Sequence, residues 1–250
     1  MSDRRNVTYL YDGSFDGLLS TVFECFRLHL FPYAIECTQF GQQSLDSDYV
    51  HVITDTENAQ RVIKKVSDIA GKPEMKRIYY CFLASRQGKE MEIFNYIRAC
   101  LKFGPSVSSH LAVDCVNAVV SAAQAISMEA HLYTGFVRFA ELESGIFYSA
   151  VEPKNDVLPI LATHFMHRYA NMPFIIHDII RNQCIISNGC EYGIYDTENM
   201  PVLKLSNKES NHRRLWKCFY DTITIPEREN EKCRMTHLPK RFRRCMTEFF

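Results

Sequence analysis

The feature that most constrains this chain is a change of hydrophobic period near residue 133. Before it, apolar residues recur every three or four positions, the spacing that lines them along one face of an α-helix. Phe15, Leu18, Leu19, Val22, Phe23, Phe26 and Leu30 mark one such run, with Ser14 as its N-cap and Pro32 as its stop. "DTENAQRVIKKVSDIAG" (55–71) marks a second, and residues 74–103 mark one or two more. The alanine-rich stretch 108–133 predicts a long helix, apolar on more than one face and therefore buried. After the change, "GFVRFAELESGIFYSAVEP" (135–153) alternates apolar and polar residues around Glu-Ser-Gly, the pattern of a β-hairpin. A helix over 156–170, with Asp156 as cap, separates this hairpin from further strands in "PFIIHDII" and "QCIISNGCEYGIYDT". Two short strands, 6–13 and 49–54, lie in the helical half. An amphipathic helix over 207–225 and a polar tail close the chain. This order predicts an α+β fold. Residues 1–133 form a helix-rich half with a small sheet. Residues 134–250 form an antiparallel sheet with helices and a basic C-terminal tail, either as a second part or within one compact domain.

The 250 residues carry 29 basic and 29 acidic side chains, so the chain is neutral. The balance is uneven. Residues 207–250 hold 11 basic against 6 acidic residues, a net +5 that leaves −5 for residues 1–206. Such a split points either to an anionic partner for the C-terminal segment or to a solvated helix end. None of the ten cysteines forms C-x-x-C, a zinc-finger spacing or a C-x₃-C-x₂-C cluster site. Most sit in apolar stretches, where a reduced thiol behaves as a small hydrophobe. No metal and no cofactor is expected, and the expected compartment is a reducing cytoplasm. No apolar run reaches the roughly 18 residues of a membrane span, and no signal-peptide core follows Met1, so no membrane partner is expected.

Several residues carry candidate chemistry. In "YDGSFDG", Asp12 ends a strand and Asp16 enters the first helical turn. Carboxylates at such a junction serve catalysis, or else they form an Asx turn and complement the helix dipole. The lysine of a phosphate loop is missing. His164, His167 and Arg168 share one helical face and form an anion pocket or a packed surface. A zinc site would need a third protein ligand. His177 and Asp178 are neighbours on a strand and so face opposite ways, which leaves a catalytic dyad only if the strand ends there. Arg138, among Phe136, Val137 and Phe139, requires a carboxylate or phosphate partner, and Glu129 is a structural candidate. The tail joins Arg228, Lys240, Arg241, Arg243 and Arg244 to aromatic residues, a combination suited to phosphate and base contact.

Taken together, "YDGSFDGLLSTVFE", "GFVRFAELESGIFYSAVEP", "HFMHRY", "IIHDIIR" and "LWKCFYDTITIPERENEKCRMTHLPKR" resemble one bacterial family. It is labelled "probable DNA metabolism protein" and carries a domain of unknown function. Its members are typically encoded beside a radical SAM protein assigned to DNA modification or repair, and some are fused to a uracil-DNA glycosylase domain. The resemblance runs from Val7 to Glu248. It implies a DNA-related role with DNA and the radical SAM protein as partners, and it supplies no catalytic residues. Relatives follow "PKR" with Tyr-Trp, where this chain has Phe242 and Arg243. Phe174 stands where they have Trp.

The leading expectation is an accessory protein that binds nucleic acid. Arg138, His164, Arg168, Arg181, Arg228, Lys240, Arg241, Arg243 and Arg244 would contact phosphate. One alternative is a stand-alone enzyme acting on a nucleotide or damaged base, with Asp12, Asp16, His177 and Asp178 as acid/base groups. Another is a protein-interaction scaffold, marked by an exposed apolar patch.

Overall fold

The computed structural model describes residues 7–38, 48–197 and 203–249. The chain divides into two units, Met1–Ser127 and Met128–Phe250.

The first unit begins β1 (Val7–Tyr11), α1 (Phe15–Arg27), β2 (Ala34–Cys37) and β3 (Asp48–His51). The strands pair in parallel in the order β2-β1-β3. β1 is central, and accordingly Thr8 through Tyr11 are all buried. Ser14 caps α1 as predicted, its Oγ accepting from the Gly17 amide at 2.9 Å. The helix stops at Arg27 rather than at Pro32. His29 adopts a left-handed φ of 53°, so Leu30 leaves the helical face and is 48% exposed. β2 has no counterpart among the predicted strands, because four residues are too few to display a period.

Four helices complete the unit. α2 (Thr56–Ile69) is capped by Asp55, whose carboxylate accepts from the Glu57 and Asn58 amides. α3 (Lys72–Phe82), α4 (Lys89–Phe103) and the first part of α5 (Asp114–Phe136) follow. Leu18, Leu19 and Val22 of α1 meet Val62, Val66, Ile78, Phe94, Ile97, Val116 and Val119 in one core. Buried Glu74 lies within this helical layer. It accepts from Tyr96 Oη at 2.5 Å and pairs with Arg77, so its charge is not left alone.

The second unit contains the rest of α5, then β4 (Ala140–Glu141), β5 (Phe147–Val151), α6 (Leu158–Arg168), β6 (Phe174–Asp178), β7 (Gln183–Ser187) and β8 (Tyr192–Asp196). α7 (Asn207–Ile223), α8 (Glu231–His237) and α9 (Lys240–Arg243) close it. The five strands lie in sequence order and pair antiparallel, except that β5 and β6 run parallel. α6 causes that exception, since a crossover helix returns the chain to the same end of the sheet.

The predicted hairpin at Glu-Ser-Gly forms, but its first strand is only two residues long. Gly135 and Phe136 belong to the last turn of α5, so Arg138 does not lie on a pleated strand. Val157, not Asp156, takes the N-cap position of α6.

Leu158, Leu161 and Phe165 of α6 pack on Phe174, Ile176 and Ile185, the inward residues of β6 and β7. The C-terminal segment joins this core through Phe242, with Leu238 packed against it. Phe242 is 2% exposed, with its centroid 4.8 Å from Tyr133 and 5.3 Å from Phe136. Among the described residues no single helix is long and apolar enough to cross a membrane. All ten cysteines are free. Phe242→Ala should remove about 3–5 kcal/mol from the second unit, read as a lowered urea midpoint. An unchanged midpoint would mean that the segment is not anchored by this ring.

Candidate functional site

"YDGSFDG" folds as a strand-to-helix turn at the carboxyl edge of the parallel sheet, where open α/β sheets place ligands. Both Asp12 oxygens are engaged there. Oδ1 accepts from the Ser14 amide at 2.9 Å and from Ser14 Oγ at 2.7 Å, and Oδ2 accepts from Thr54 Oγ1 at 2.8 Å. Burial pushes the Asp12 pKa up, but these hydrogen bonds outweigh it and hold the carboxyl below the ordinary aspartate value. Two glycines make the turn possible. Gly13 has φ 85°, and a Cβ at Gly17 would meet Asp12 Oδ1 at 2.2 Å. Asp12 therefore ties β1 to the loop after β3. Asp16 sits in the first turn of α1, beside the positive end of the helix dipole.

In the second unit, four predicted residues fall into one network around the loop Pro153–Asn155. Glu129, 3% exposed on α5, takes the loop's donors. Its carboxylate accepts from the Lys154 amide at 2.9 Å, the Asn155 amide at 3.2 Å and Asn155 Nδ2 at 2.6 Å. Arg241 of α9 lies 3.5 Å from the same carboxylate. Arg181 takes the loop's acceptors, donating to the Pro153 carbonyl at 3.2 Å and the Lys154 carbonyl at 2.7 Å. Asp178, fully buried, holds Arg181 at 2.8 Å and accepts from the Ile180 and Arg181 amides. Asp178 and Arg181 are thus a clamp for a turn and a loop. Arg138 does not meet Glu129. Its Nη1 donates to the carbonyls of Gly135 at 2.9 Å and Val137 at 3.3 Å, acceptors at the C-terminal end of α5. Glu129's role was not visible beforehand, because its partners are mainly backbone amides some 25 residues away.

His177 faces away from Asp178, as alternation requires. Its Nδ1 shares a 3.0 Å hydrogen bond with Tyr148 Oη, while Nε2 is buried without a partner. Burial pushes its pKa below the ordinary histidine value, against the opposing pull of Asp178. His164 and Arg168 are exposed on α6 together with His167. Partial burial and the nearby charges of Arg168, His131 and His167 push the His164 pKa down. Among the described residues, no group of three or more His, Cys, Asp or Glu side chains is placed to hold a metal ion.

The tail cations divide into two sets. Arg241 pairs with Glu129, Arg243 with Glu231 at 2.8 Å, and Arg244 with Glu152 at 3.0 Å. The charge count explains the direction of these pairs. Residues 1–127 hold 13 basic and 14 acidic residues, residues 128–206 hold 5 and 9, and residues 207–250 hold 11 and 6. Within the second unit, the basic segment therefore lies on an acidic body of its own. Arg213 pairs with Glu209 and Arg234 with Glu229 and Glu231, while Lys208, Arg214, Arg228, Lys232 and Lys240 are exposed and without an ion pair to any described residue.

Three clefts stand out, of about 680, 490 and 370 Å³. The largest lies beside β3 and the start of α2, and the second between α6 and the β7–β8 turn. Arg138, His164, Arg168, Arg181 and His177 line none of the three. Arg228 lines the third, next to Ile223, Ile225, Asn230 and Arg234. None of these three clefts gathers the predicted site residues.

The model of a family described as a domain of unknown function, DUF4130, matches residues 87–248. The matched span starts just ahead of α4 and includes the whole Glu129–Asp178–Arg181 network. No curated protein matches the chain, and no solved structure matches it.

Glu129→Ala would leave the amides of Lys154 and Asn155 without their acceptor. It should destabilise the second unit by roughly 3 kcal/mol or more in chemical denaturation. In the first unit, an NMR titration should find Asp12 below the ordinary carboxylate pKa, and Thr54→Val should raise it. The sign follows from linkage. A carboxyl depressed in the folded state adds stability above its unfolded pKa, and that stability is lost as pH falls through the acid range.

Proposed function

The chain belongs to this family of unknown function, and from its own surface we propose that it is a nucleic-acid-binding accessory protein. The observation that carries the reading is the set of five exposed cations, Lys208, Arg214, Arg228, Lys232 and Lys240, left over after the C-terminal segment has satisfied its own unit's carboxylates. Phosphate contact by lysine and arginine releases counterions and gives affinity without requiring a pocket. Arg244 adds to this surface, since its solvent-exposed pair with Glu152 contributes little and exchanges readily for phosphate.

The resemblance to DNA-metabolism proteins supports DNA as the ligand and a radical SAM DNA modification or repair protein as the partner that performs the chemistry. A catalytic role for the acidic residues has less support. Asp12 and Asp178 spend their oxygens on turns, and an acid/base group must reach a substrate.

Labelled DNA titrated at several salt concentrations tests the proposal. Binding should weaken linearly in log–log form. Arg214→Gln, Lys232→Gln and Lys240→Gln together should lower the slope by roughly 0.7–0.9 for each phosphate that is no longer neutralised. Absence of binding at low salt, or an unchanged slope in the triple variant, would sink the proposal.

A further inference from the structure

β3 is an edge strand whose outer side is open. The parallel sheet runs β2-β1-β3, so β3 pairs only with β1. Its ladder shows which backbone groups are used. Val52 N–H donates to the Leu10 carbonyl at 2.9 Å, one step beyond the strand. Successive residues turn their backbone groups to opposite sides, so those of His51 point away from β1. Among the described residues none bonds them. The side chains along this edge are bare as well. Ile53 is 88% exposed, the highest value among the large apolar side chains of the described residues, and Val50 is 41% exposed. Lysine, proline or a bulge commonly keeps such an edge single. "DYVHVIT" (48–54) has neither lysine nor proline, and β3 matches β1 residue for residue, without a bulge.

We infer that this edge pairs with the same edge of a second copy of the chain, antiparallel across a two-fold axis. Unused amides and carbonyls at strand spacing call for another strand. The residue pattern selects a second copy. "YVHVI" (49–53) is nearly symmetric about His51. Antiparallel pairing centred there lets the two His51 residues exchange N–H and C=O. It lays Val50 beside the second copy's Val52, and Ile53 beside the second copy's Tyr49. An aromatic residue opposite a β-branched one is a stabilising cross-strand pair. Asp48, the one carboxylate of the stretch, falls opposite Thr54, so no two carboxylates meet. The cleft beside β3, lined in part by Leu28, Val50, Val52 and Ile53, leaves room for the incoming side chains. A contact of this kind uses the same patch on both copies and closes at two. β3 is only four residues long, so the dimer is weak and depends on concentration. The edge belongs to the first unit and the proposed phosphate contacts to the second, so different residues test the two.

Sedimentation velocity over about a hundredfold range of protein concentration, without nucleic acid, should show the monomer giving way to a dimer and to nothing larger. Hydrogen exchange followed by NMR should find the His51 amide fast in the monomer and protected in the dimer. Ile53→Lys should weaken association by at least about tenfold, since it sets a lysine at both ends of the paired edges. His51→Pro should abolish association, because it removes an amide that β1 does not use. Both variants should keep the circular dichroism spectrum of the parent chain. The Arg214, Lys232 and Lys240 triple variant should dimerise as the parent chain does, whatever becomes of its DNA binding. A chain that stays monomeric throughout, a dimer that neither substitution weakens, or growth beyond two copies would overturn the proposal. So would a His51 amide that exchanges at one rate at every concentration. Protection of that amide by an added extended peptide, and not by a second copy, would overturn it too and assign the edge to another protein's strand.

Discussion

The carboxylate of Glu129 is the interaction on which the second unit depends. A charge 3% exposed on a helix is costly unless donors surround it. Here two backbone amides, an asparagine amide and Arg241 do so. One side chain thereby joins three pieces of chain distant in sequence: α5, the loop after β5, and α9. Asp178 repeats the device from the other side, holding Arg181 against the same loop's carbonyls. The loop has neither helix nor ladder to satisfy its backbone, so two ionised side chains satisfy it instead. Phe242 supplies the apolar half of the same attachment, and the two act together because α9 is too short to persist alone.

This arrangement alters the meaning of the charge asymmetry. The +5 segment looks like a surface prepared for an external anion, yet part of it neutralises the acidic body on which it is folded. What remains for a partner is a smaller set of exposed cations, and phosphate tolerates such scattered contacts.

Much of the fold was legible beforehand because the signals were local. Ser14 and Asp55 cap helices through hydrogen bonds to amides two or three residues away, so their spacing alone announces them. Opposite faces for His177 and Asp178 follow from the pleat. Other features resisted such reading. β2 is too short to show a period. The end of α5 runs into residues whose alternation resembles a strand, and only the continued helix shows that Arg138 serves its terminal carbonyls. Leu215, Trp216, Phe219 and Ile223 of the amphipathic α7 are 41–63% exposed, which the amphipathic pattern alone does not announce.

By itself the sequence determined the class of the fold, the helical first half and the stranded second, since periodicity and caps act over a few residues. Only the tertiary structure decided what the charged residues do. Asp12, Asp178 and Arg181 each hold backbone or hydroxyl groups brought near by folding. A charged side chain takes its role from partners that lie tens of residues away, and no local pattern encodes their arrival.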